Sequence, residues 1–223
     1  MTVLAAAQPS CWQGTTREVE AIVLSVDGPA NLRSNGQLFP LRLDSHPGRG
    51  DVVETPGASG VDLSLLPNLL VHLDHDTSIE IVRLSLVKDG NETGSAMRGR
   101  FAEVKLITGR TFVSHVWGEA LARLGIATPA GQVVTPSNTL FAVQSEQQKT
   151  RVTCASGWVE FQPTGATTAT RIPPGSVGEW PSAGPNITAA DANPRGQEDL
   201  QQAIEIEQKL RDLMIRKRNV LPR

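Results

Sequence analysis

Short runs of alternating apolar and polar residues cover most of the chain between residues 19 and 180. An early example is "VEAIVLSV", residues 19–26, which the turn sequence Asp27-Gly28-Pro29 ends. Runs of this length, with turn residues at intervals of about ten positions, are typical of all-β proteins. The pattern therefore predicts an all-β domain over residues 19–180, a sandwich or solenoid-like stack of short, mostly antiparallel strands.

The clearest hairpin lies near the end of this region. Two apolar runs, residues 139–145 and 150–155, enclose the polar segment "EQQK". The turn Ala155-Ser156-Gly157 then leads into a further strand, "WVEFQ". Two extended runs joined by a short polar segment predict an antiparallel pair.

The middle of the chain predicts further strands and contains one segment that is compatible with either a helical turn or a strand. Residues 88–100, "KDGNETGSAMRGR", are polar and rich in glycine, which predicts a surface hairpin loop. Residues 101–109 and 110–118 predict two strands that meet at Gly109-Arg110. Residues 119–126, "EALARLGI", are compatible with a helical turn or with a strand.

Three Thr-Pro steps, Thr55-Pro56, Thr128-Pro129 and Thr135-Pro136, fall at the ends of predicted strands. Proline fixes its own φ and drives the preceding residue into extended conformations, so each step ends a straight segment at a corner. Two of them belong to an internal echo, "PGRGDVVETPGASGVDLSL" and "PAGQVVTPSNTLFAV". Either a duplicated β-unit or convergent turn chemistry accounts for this echo.

The composition changes after residue 180. Residues 181–197 are small and turn-forming, which predicts a linker, and residues 198–220 predict an amphipathic helix. The apolar face of this helix packs either on its own β domain or on a partner helix. Basic residues at its end compensate the helix dipole, with contact to anionic lipid as an alternative. The residues of the predicted partner-helix face are Ala203, Ile206, Leu210 and Leu213.

Charge and cysteine content narrow the classes of function. The 21 basic and 23 acidic residues nearly balance, which argues against nucleic acid as a partner. The 20 glycines and 15 prolines indicate many turns. Cys11 and Cys154 lie far apart and suggest neither a disulfide framework nor a metal site, and Cys154 is expected to be a buried, inert thiol.

The first 18 residues predict a residual export signal or a disordered N-terminus. "MTVLAAAQPSCW" has a short apolar run followed by small residues, as at the end of a secretory signal, but no basic residue precedes the run. Lipidation of Cys11 is not favoured, because Gln8 and Pro9 precede it. No segment is long and apolar enough to predict an integral membrane span.

One cluster has the residue types of a metal site. Residues 72–76, "HLDHD", hold two imidazoles and two carboxylates. On a strand, His72 and His75 would point to opposite faces, so a turn at Asp74–Asp76 and a solvated face are the preferred interpretation, with a metal-dependent hydrolase as the weaker one. No catalytic motif stands out elsewhere. The sequence thus predicts a protein that is not an enzyme and has no cofactor or metal.

A second interpretation is a binding domain for a small ligand or a glycan. Trp117, Trp158 and Trp180 would then line a cleft, with their indoles accessible to a quencher.

Two blocks of the sequence carry a resemblance to a known family. The first is "PGRGDVVETPGASGVDLSLLPNLLVHLDHDTSIEI", and the second is "LGIATPAGQVVTPSNTLFAVQSEQQKTRVTCASGWVEFQ". With the turn "IPPGSVGEW", they resemble the FecR domain of bacterial envelope proteins, over about residues 19–180. The sequence departs from the family pattern at Ser137-Asn138-Thr139 and at Trp158.

The resemblance implies an exported or periplasmic β module that binds proteins, in signal transduction or as a scaffold of the cell envelope. Its implied partner is another envelope protein or a second copy. Family members that act as transmembrane regulators place a sigma-factor-binding segment and a membrane helix before the domain. Neither is found in these 223 residues, so the resemblance does not carry over an anti-sigma role.

Overall fold

In a computed structural model, residues 15–88, 97–116, 121–135, 138–181 and 186–220 are described. Strands make up most of this part of the chain, and one long helix follows them. The predicted all-β class with a C-terminal helix is confirmed. The strands are β1 (Thr15–Glu18), β2 (Ile22–Asp27), β3 (Asn31–Ser34), β4 (Gln37–Pro40), β5 (Val52–Thr55), β6 (Gly60–Leu66), β7 (Leu69–Leu73), β8 (Thr77–Lys88), β9 (Met97–His115), β10 (Leu121–Thr128), β11 (Gly131–Thr135), β12 (Thr139–Glu146), β13 (Lys149–Ser156), β14 (Val159–Pro163), β15 (Thr170–Ile172), β16 (Ser176–Trp180) and β17 (Asn186–Ala189).

The strands form two sheets. Sheet A has the order β4-β3-β5-β8-β9-β10-β11-β14-β15, with β1 on the far half of β8. Sheet B has the order β2-β6-β7-β9-β12-β13-β16-β17. One apolar cluster combines buried side chains of both sheets, for example Val53 and Phe161 of sheet A with Leu63 and Phe141 of sheet B. The two sheets therefore face each other as a sandwich.

Strand β9 belongs to both sheets. Its residues up to Thr108 pair with β8 in sheet A, and its residues from Gly109 pair with β12 in sheet B. Gly109 has φ 90°, and a Cβ at this position would overlap Thr77. Only glycine fits such a close approach at this φ. The two strands predicted to meet at Gly109-Arg110 are thus one continuous strand that changes sheet there.

Two of the three Thr-Pro steps also lie where the chain changes sheet. Thr55 ends β5 in sheet A, and β6 follows in sheet B. Thr135 ends β11 in sheet A, and β12 follows in sheet B. The third step, Thr128-Pro129, ends β10 before the hairpin turn to β11.

The internal echo in the sequence corresponds to a repeated four-strand unit. In the first unit β5 pairs with β8 in sheet A, and β6 pairs with β7 in sheet B. In the second unit β11 pairs with β14 in sheet A, and β12 pairs with β13 in sheet B. Strand β9 lies between the two units in each sheet.

The hairpin predicted from "EQQK" is present as β12 and β13. Gln147 and Gln148 form its two-residue turn with φ 48° and 69°. Positive φ at both central positions matches the twist of the flanking strands. Residues 119–126, for which the sequence allowed a helical turn or a strand, contain the start of β10, which runs parallel to β9.

The C-terminal region differs from the prediction in two ways. Strand β17 lies within the predicted linker and pairs with β16 at the edge of sheet B. After a single 3₁₀ turn, helix α1 (Pro194–Val220) begins four residues before the predicted start. Asn193 caps the helix, because its Oδ1 accepts hydrogen bonds from the backbone N–H groups of Arg195 and Gly196. Among the described residues, no helix has the length and apolar character to cross a bilayer.

Candidate functional site

Helix α1 lies on the outer face of sheet B. Among the side chains that the structure describes, its buried apolar ones fall into two small clusters, each of which also contains residues of the sheet. The predicted helix face therefore packs on its own domain. This finding decides between the two alternatives that the sequence left open, and it corrects the assignment of this face to a partner helix. The first cluster is Ala203 with Phe112, Leu140 and Ala142, the second is Leu210 with Leu24 and Leu70, Ile206 packs against both, and Leu213 packs against the second.

A buried carboxylate of α1 anchors the N-terminal half of the helix. Asp199 is 2% exposed. Its carboxylate accepts hydrogen bonds from Arg110 Nη1 at 3.0 Å, Arg151 Nε at 3.1 Å and Thr153 Oγ1 at 2.9 Å. These donors lie on β9 and β13, so the anchor joins the helix to two strands of sheet B. A buried carboxylate is tolerated because these charged and polar donors compensate for its desolvation.

Arg110 extends this ionic network to the turn after β7. Its Nε donates to Asp74 Oδ2 at 2.8 Å. Burial alone would raise the pKa of the Asp74 carboxyl, but hydrogen bonds from Arg110 and His75 outweigh it, and the pKa lies below its usual value. Burial alone would lower the pKa of Arg110, but its contacts with Asp74 and Asp199 outweigh it and raise that pKa. Both groups are therefore charged at neutral pH.

A second buried carboxylate, Asp62 of β6, anchors the C-terminal half of the helix. It is 0% exposed and contacts His72 Nδ1 at 2.6 Å and Lys209 Nζ of α1 at 2.9 Å. The Ser25 hydroxyl also donates to it. Burial raises the pKa of this carboxyl, but the hydrogen bonds from His72, Ser25 and Lys209 outweigh burial and hold the pKa below its usual value. In this anchor the acidic residue lies on the sheet and the basic residue lies on the helix. In the first anchor the acidic residue lies on the helix and the basic residues lie on the sheet.

The histidine and aspartate cluster of residues 72–76 divides between these two anchors. His72 is bonded to Asp62, whereas His75 Nδ1 is bonded to Asp74 at 2.8 Å. Asp76 has φ 50° and lies in the turn between β7 and β8. In the part of the chain that the structure describes, no group of three or more histidine, cysteine, aspartate or glutamate side chains is arranged to hold a metal ion. The predicted turn at this place is present, and the two histidines do not come together.

A polar cavity of about 450 Å³ opens beside the start of α1. Its charged lining has both signs, so no net field selects an anion or a cation there. The lining includes Asp74, His75, Arg110, Arg151, Arg195 and Glu198.

An apolar groove of about 460 Å³ lies near the other end of α1. It runs between the helix and β2, which is one of the two edge strands of sheet B. Ile22 is 43% exposed and Ile215 is 59% exposed, so water reaches large apolar side chains of the groove. The apolar lining residues are Ile22, Leu24, Pro67, Leu70, Val116, Met214 and Ile215.

The tryptophans predicted to line a ligand cleft have different environments. Trp117 lies outside the described residues. Trp158 is half-buried, with the Arg171 guanidinium 4.1 Å from its ring centroid. Trp180 is 4% exposed and stacks on Phe161 at 4.0 Å, which places this indole in the core. The expectation that the Trp180 indole is accessible to a quencher is corrected, because the ring packs between the sheets.

The two cysteines show no reactive environment where they are described. Cys154 is buried in the core, and burial raises the pKa of its thiol to about 11. A thiol with this pKa is not a nucleophile at neutral pH. Cys11 lies outside the described residues.

None of the contacts that form the two anchors was predicted from the sequence, although His72 and Asp74 were singled out in it. One signal was available, because Asp199 lies four residues before Ala203, and Lys209 lies beside Leu210. A charged residue that is buried with the apolar face of a helix needs a polar or oppositely charged partner on the surface that the face covers. Their partners Arg110, Arg151 and Asp62 have no such signal in the sequence.

No family model matches this chain, and no curated protein matches it. Two crystal structures of a "putative anti-sigma factor" from Parabacteroides distasonis ATCC 8503, at 1.65 and 2.50 Å resolution, are similar to it. In each case the identity is 17%, the TM-score is 0.43, and the alignment covers 61% of this chain and 57% of that chain.

Proposed function

We propose that this protein is a non-catalytic, exported protein of the FecR-domain type that acts by binding another protein of the bacterial cell envelope, in signalling or as a scaffold. One observation carries the proposal. The two sequence blocks that resemble the family coincide with the two four-strand units, β5 to β8 and β11 to β14, which have the same pairings. The resemblance therefore follows the architecture and not isolated turn residues.

The roles of the ionisable side chains support a non-catalytic protein. Asp62 and Asp199 are buried and bonded to groups that fix α1 on sheet B. Catalytic acids and bases must instead reach a substrate from a cleft. The Cys154 thiol is buried, and its pKa of about 11 keeps it protonated.

The apolar groove beside β2 supports binding of a protein. Exposed apolar side chains that lie next to one another mark interaction sites more often than single ones do. Ile22 on the edge strand β2 and Ile215 on α1 border the same groove. The glycan-binding alternative loses support, because Trp180 packs in the core.

Site-specific photo-crosslinking in cells tests this proposal. A photoreactive residue replaces Ile22, which is exposed on β2 and borders the apolar groove, in one variant and Leu38 in a control variant. Leu38 is also an exposed apolar residue, but it lies on β4 at the edge of sheet A. We expect the chain in the envelope fraction, and a discrete crosslinked protein from position 22 but not from position 38. Recovery of the chain in the cytosol, or equal crosslinking from both positions, would contradict the proposal.

A further inference from the structure

The outer face of sheet B forms a helix-binding groove, which α1 occupies. This groove is the surface under α1, from Arg151 at one end to Asp62 at the other, and it is called the groove below. We propose that this groove also accepts a helix from a partner protein, in exchange with α1. The partner helix carries an acidic residue, a small residue four positions later, and a lysine followed by leucine ten positions after the acid. This inference rests on the proposed protein-binding function and adds the surface and the kind of partner.

The main core of the domain does not depend on α1. The large cluster between the sheets contains no residue of α1 among the described side chains. The helix packs on two separate small clusters on the outer face. None of the strand pairings involves the helix either, since α1 follows the edge strand β17. Release of α1 would therefore leave the sandwich folded.

Charge gives the groove a direction. Arg110 and Arg151 lie at the end that receives Asp199, and Asp62 lies at the end that receives Lys209. Ten residues of helix separate Asp199 from Lys209, which is about 15 Å along the helix axis. A helix placed in the opposite direction would bring like charges together. The groove thus discriminates against wrong helices by repulsion as well as by contact.

The apolar contacts set the size of the side chains between the two charges. Ala203 packs in one cluster with Phe112, Leu140 and Ala142 of the sheet and is 1% exposed. Leu210 fits between Leu24 and Leu70. A larger residue at the first position would push the helix away from the sheet.

An empty groove would leave a buried charge, that of Arg151, without its ionic partner. Asp62 keeps His72 and Ser25 when Lys209 leaves, and Arg110 keeps Asp74 when Asp199 leaves. Arg151, in contrast, has the Asp199 carboxylate as its ionic partner in the described part of the chain. The groove therefore favours occupation by a helix that supplies an acid to Arg151, whether this helix is α1 or the helix of a partner.

Peptide binding to the chain of residues 1–223 tests this inference. The probe is a fluorescent peptide of residues 194–220, and fluorescence anisotropy measures its affinity. The linked α1 competes at a high effective concentration, so the wild-type chain binds the probe weakly. Asp199→Asn or Lys209→Ala in the chain weakens the docking of α1 on sheet B but leaves the residues of the groove unchanged. We expect each variant to bind the wild-type peptide at least about 10-fold more tightly than the wild-type chain does.

Two controls separate groove recognition from general affinity for helices. In the first, the peptide carries Asp199→Lys and Lys209→Asp, which preserves its composition and reverses its charge order. In the second, Arg151→Gln is added to the Asp199→Asn chain. We expect either control to weaken binding by at least about 10-fold. Equal binding of both peptides by the variant chains would overturn the inference, as would binding that is insensitive to Arg151→Gln.

The outcome for this groove can be separated from the outcome for the proposed function. If the envelope protein crosslinked at position 22 is captured equally by the Arg151→Gln chain, the proposed function stands and the helix-binding groove is not its binding site. If the peptide binds as expected and no envelope protein is crosslinked, helix binding by the groove is supported and the proposed function is contradicted. Dimers that form through exchange of α1, and that Arg151→Gln abolishes, would support the groove with a second copy as the partner.

Discussion

Arg110 and Asp199 are in direct contact, with Nη1 donating to Oδ1 at 3.0 Å, although 89 residues separate them in the chain. Arg110 follows the glycine at which β9 changes sheet, and Asp199 lies in the first turns of α1. The contact therefore joins the helix to the strand that connects both sheets. It makes the docking of α1 sensitive to a single carboxylate.

Asp199→Ala should loosen α1 while the sandwich stays folded. The change leaves the Arg151 guanidinium without its buried ionic partner, and loss of one member of such a pair costs about 3 kcal/mol. Amide hydrogen exchange within residues 198–210 should rise by roughly 100-fold, with little change in β12 and β13. Asp212→Ala is the matched control, because Asp212 is exposed on the same helix. Unchanged exchange in α1 would show that Asp199 does not anchor the helix.

Acid should weaken the second anchor. The pKa of Asp62 in the folded protein lies below the ordinary value of 3.8, so its stabilising effect is complete above about pH 4 and is lost as pH falls through the folded value. Asp62→Asn should lower the unfolding free energy at pH 7 and should reduce its further decrease below pH 4. Urea unfolding at pH 7, 4 and 3 measures both effects. Parallel pH profiles for the wild type and the variant would contradict the assignment.

His115 should make stability depend on pH in a higher range. Burial, together with the nearby Arg100 charge, lowers the pKa of its imidazole to about 4 from the ordinary 6.5. The unfolded chain thus takes up a proton between these values and the folded chain does not, so stability is complete above about pH 6.5 and decreases as pH falls towards 4.

The expected loss from this histidine is about 2 kcal/mol between pH 7 and pH 5. His115→Gln should remove most of it, as measured by urea unfolding at the two pH values. His75→Gln serves as the control, since the His75 side chain is 60% exposed. A His115→Gln chain that keeps the full decrease would show that another group is responsible.

Gly109→Ala tests the point at which β9 changes sheet. A methyl group there would overlap the Thr77 backbone, so we expect a loss of about 4 kcal/mol in unfolding free energy. Gly50→Ala is a matched control, because Gly50 has a similar φ, 84° against 90°, and a Cβ there has no neighbour within 4 Å. It should cost only about 1 kcal/mol, which is the cost of the backbone conformation alone. Equal losses for the two variants, measured by chemical denaturation, would argue against close packing at Gly109.

Local features of the chain were predictable from the sequence. The alternation of residues 139–155 and the two-residue turn at Gln147 and Gln148 determine a hairpin whatever surrounds it. The periodicity of residues 198–220 determines a helix for the same reason. These patterns depend on backbone geometry and on neighbours within a few positions, which the order of residues specifies directly. The start of α1 was also within reach, since Asn193 before Pro194 is a cap followed by a first helical residue.

The tertiary structure alone decided how these pieces meet. It brought Arg110, Arg151 and Asp199 together, placed Asp62 under Lys209, and buried Trp180 against Phe161. Each of these contacts joins residues that lie far apart in the chain. The sequence around a charged strand residue does not indicate whether its side chain is solvated or is covered by a helix. Burial and partner choice depend on which surfaces the folded sheets present to each other and to α1, and no local pattern carries that information.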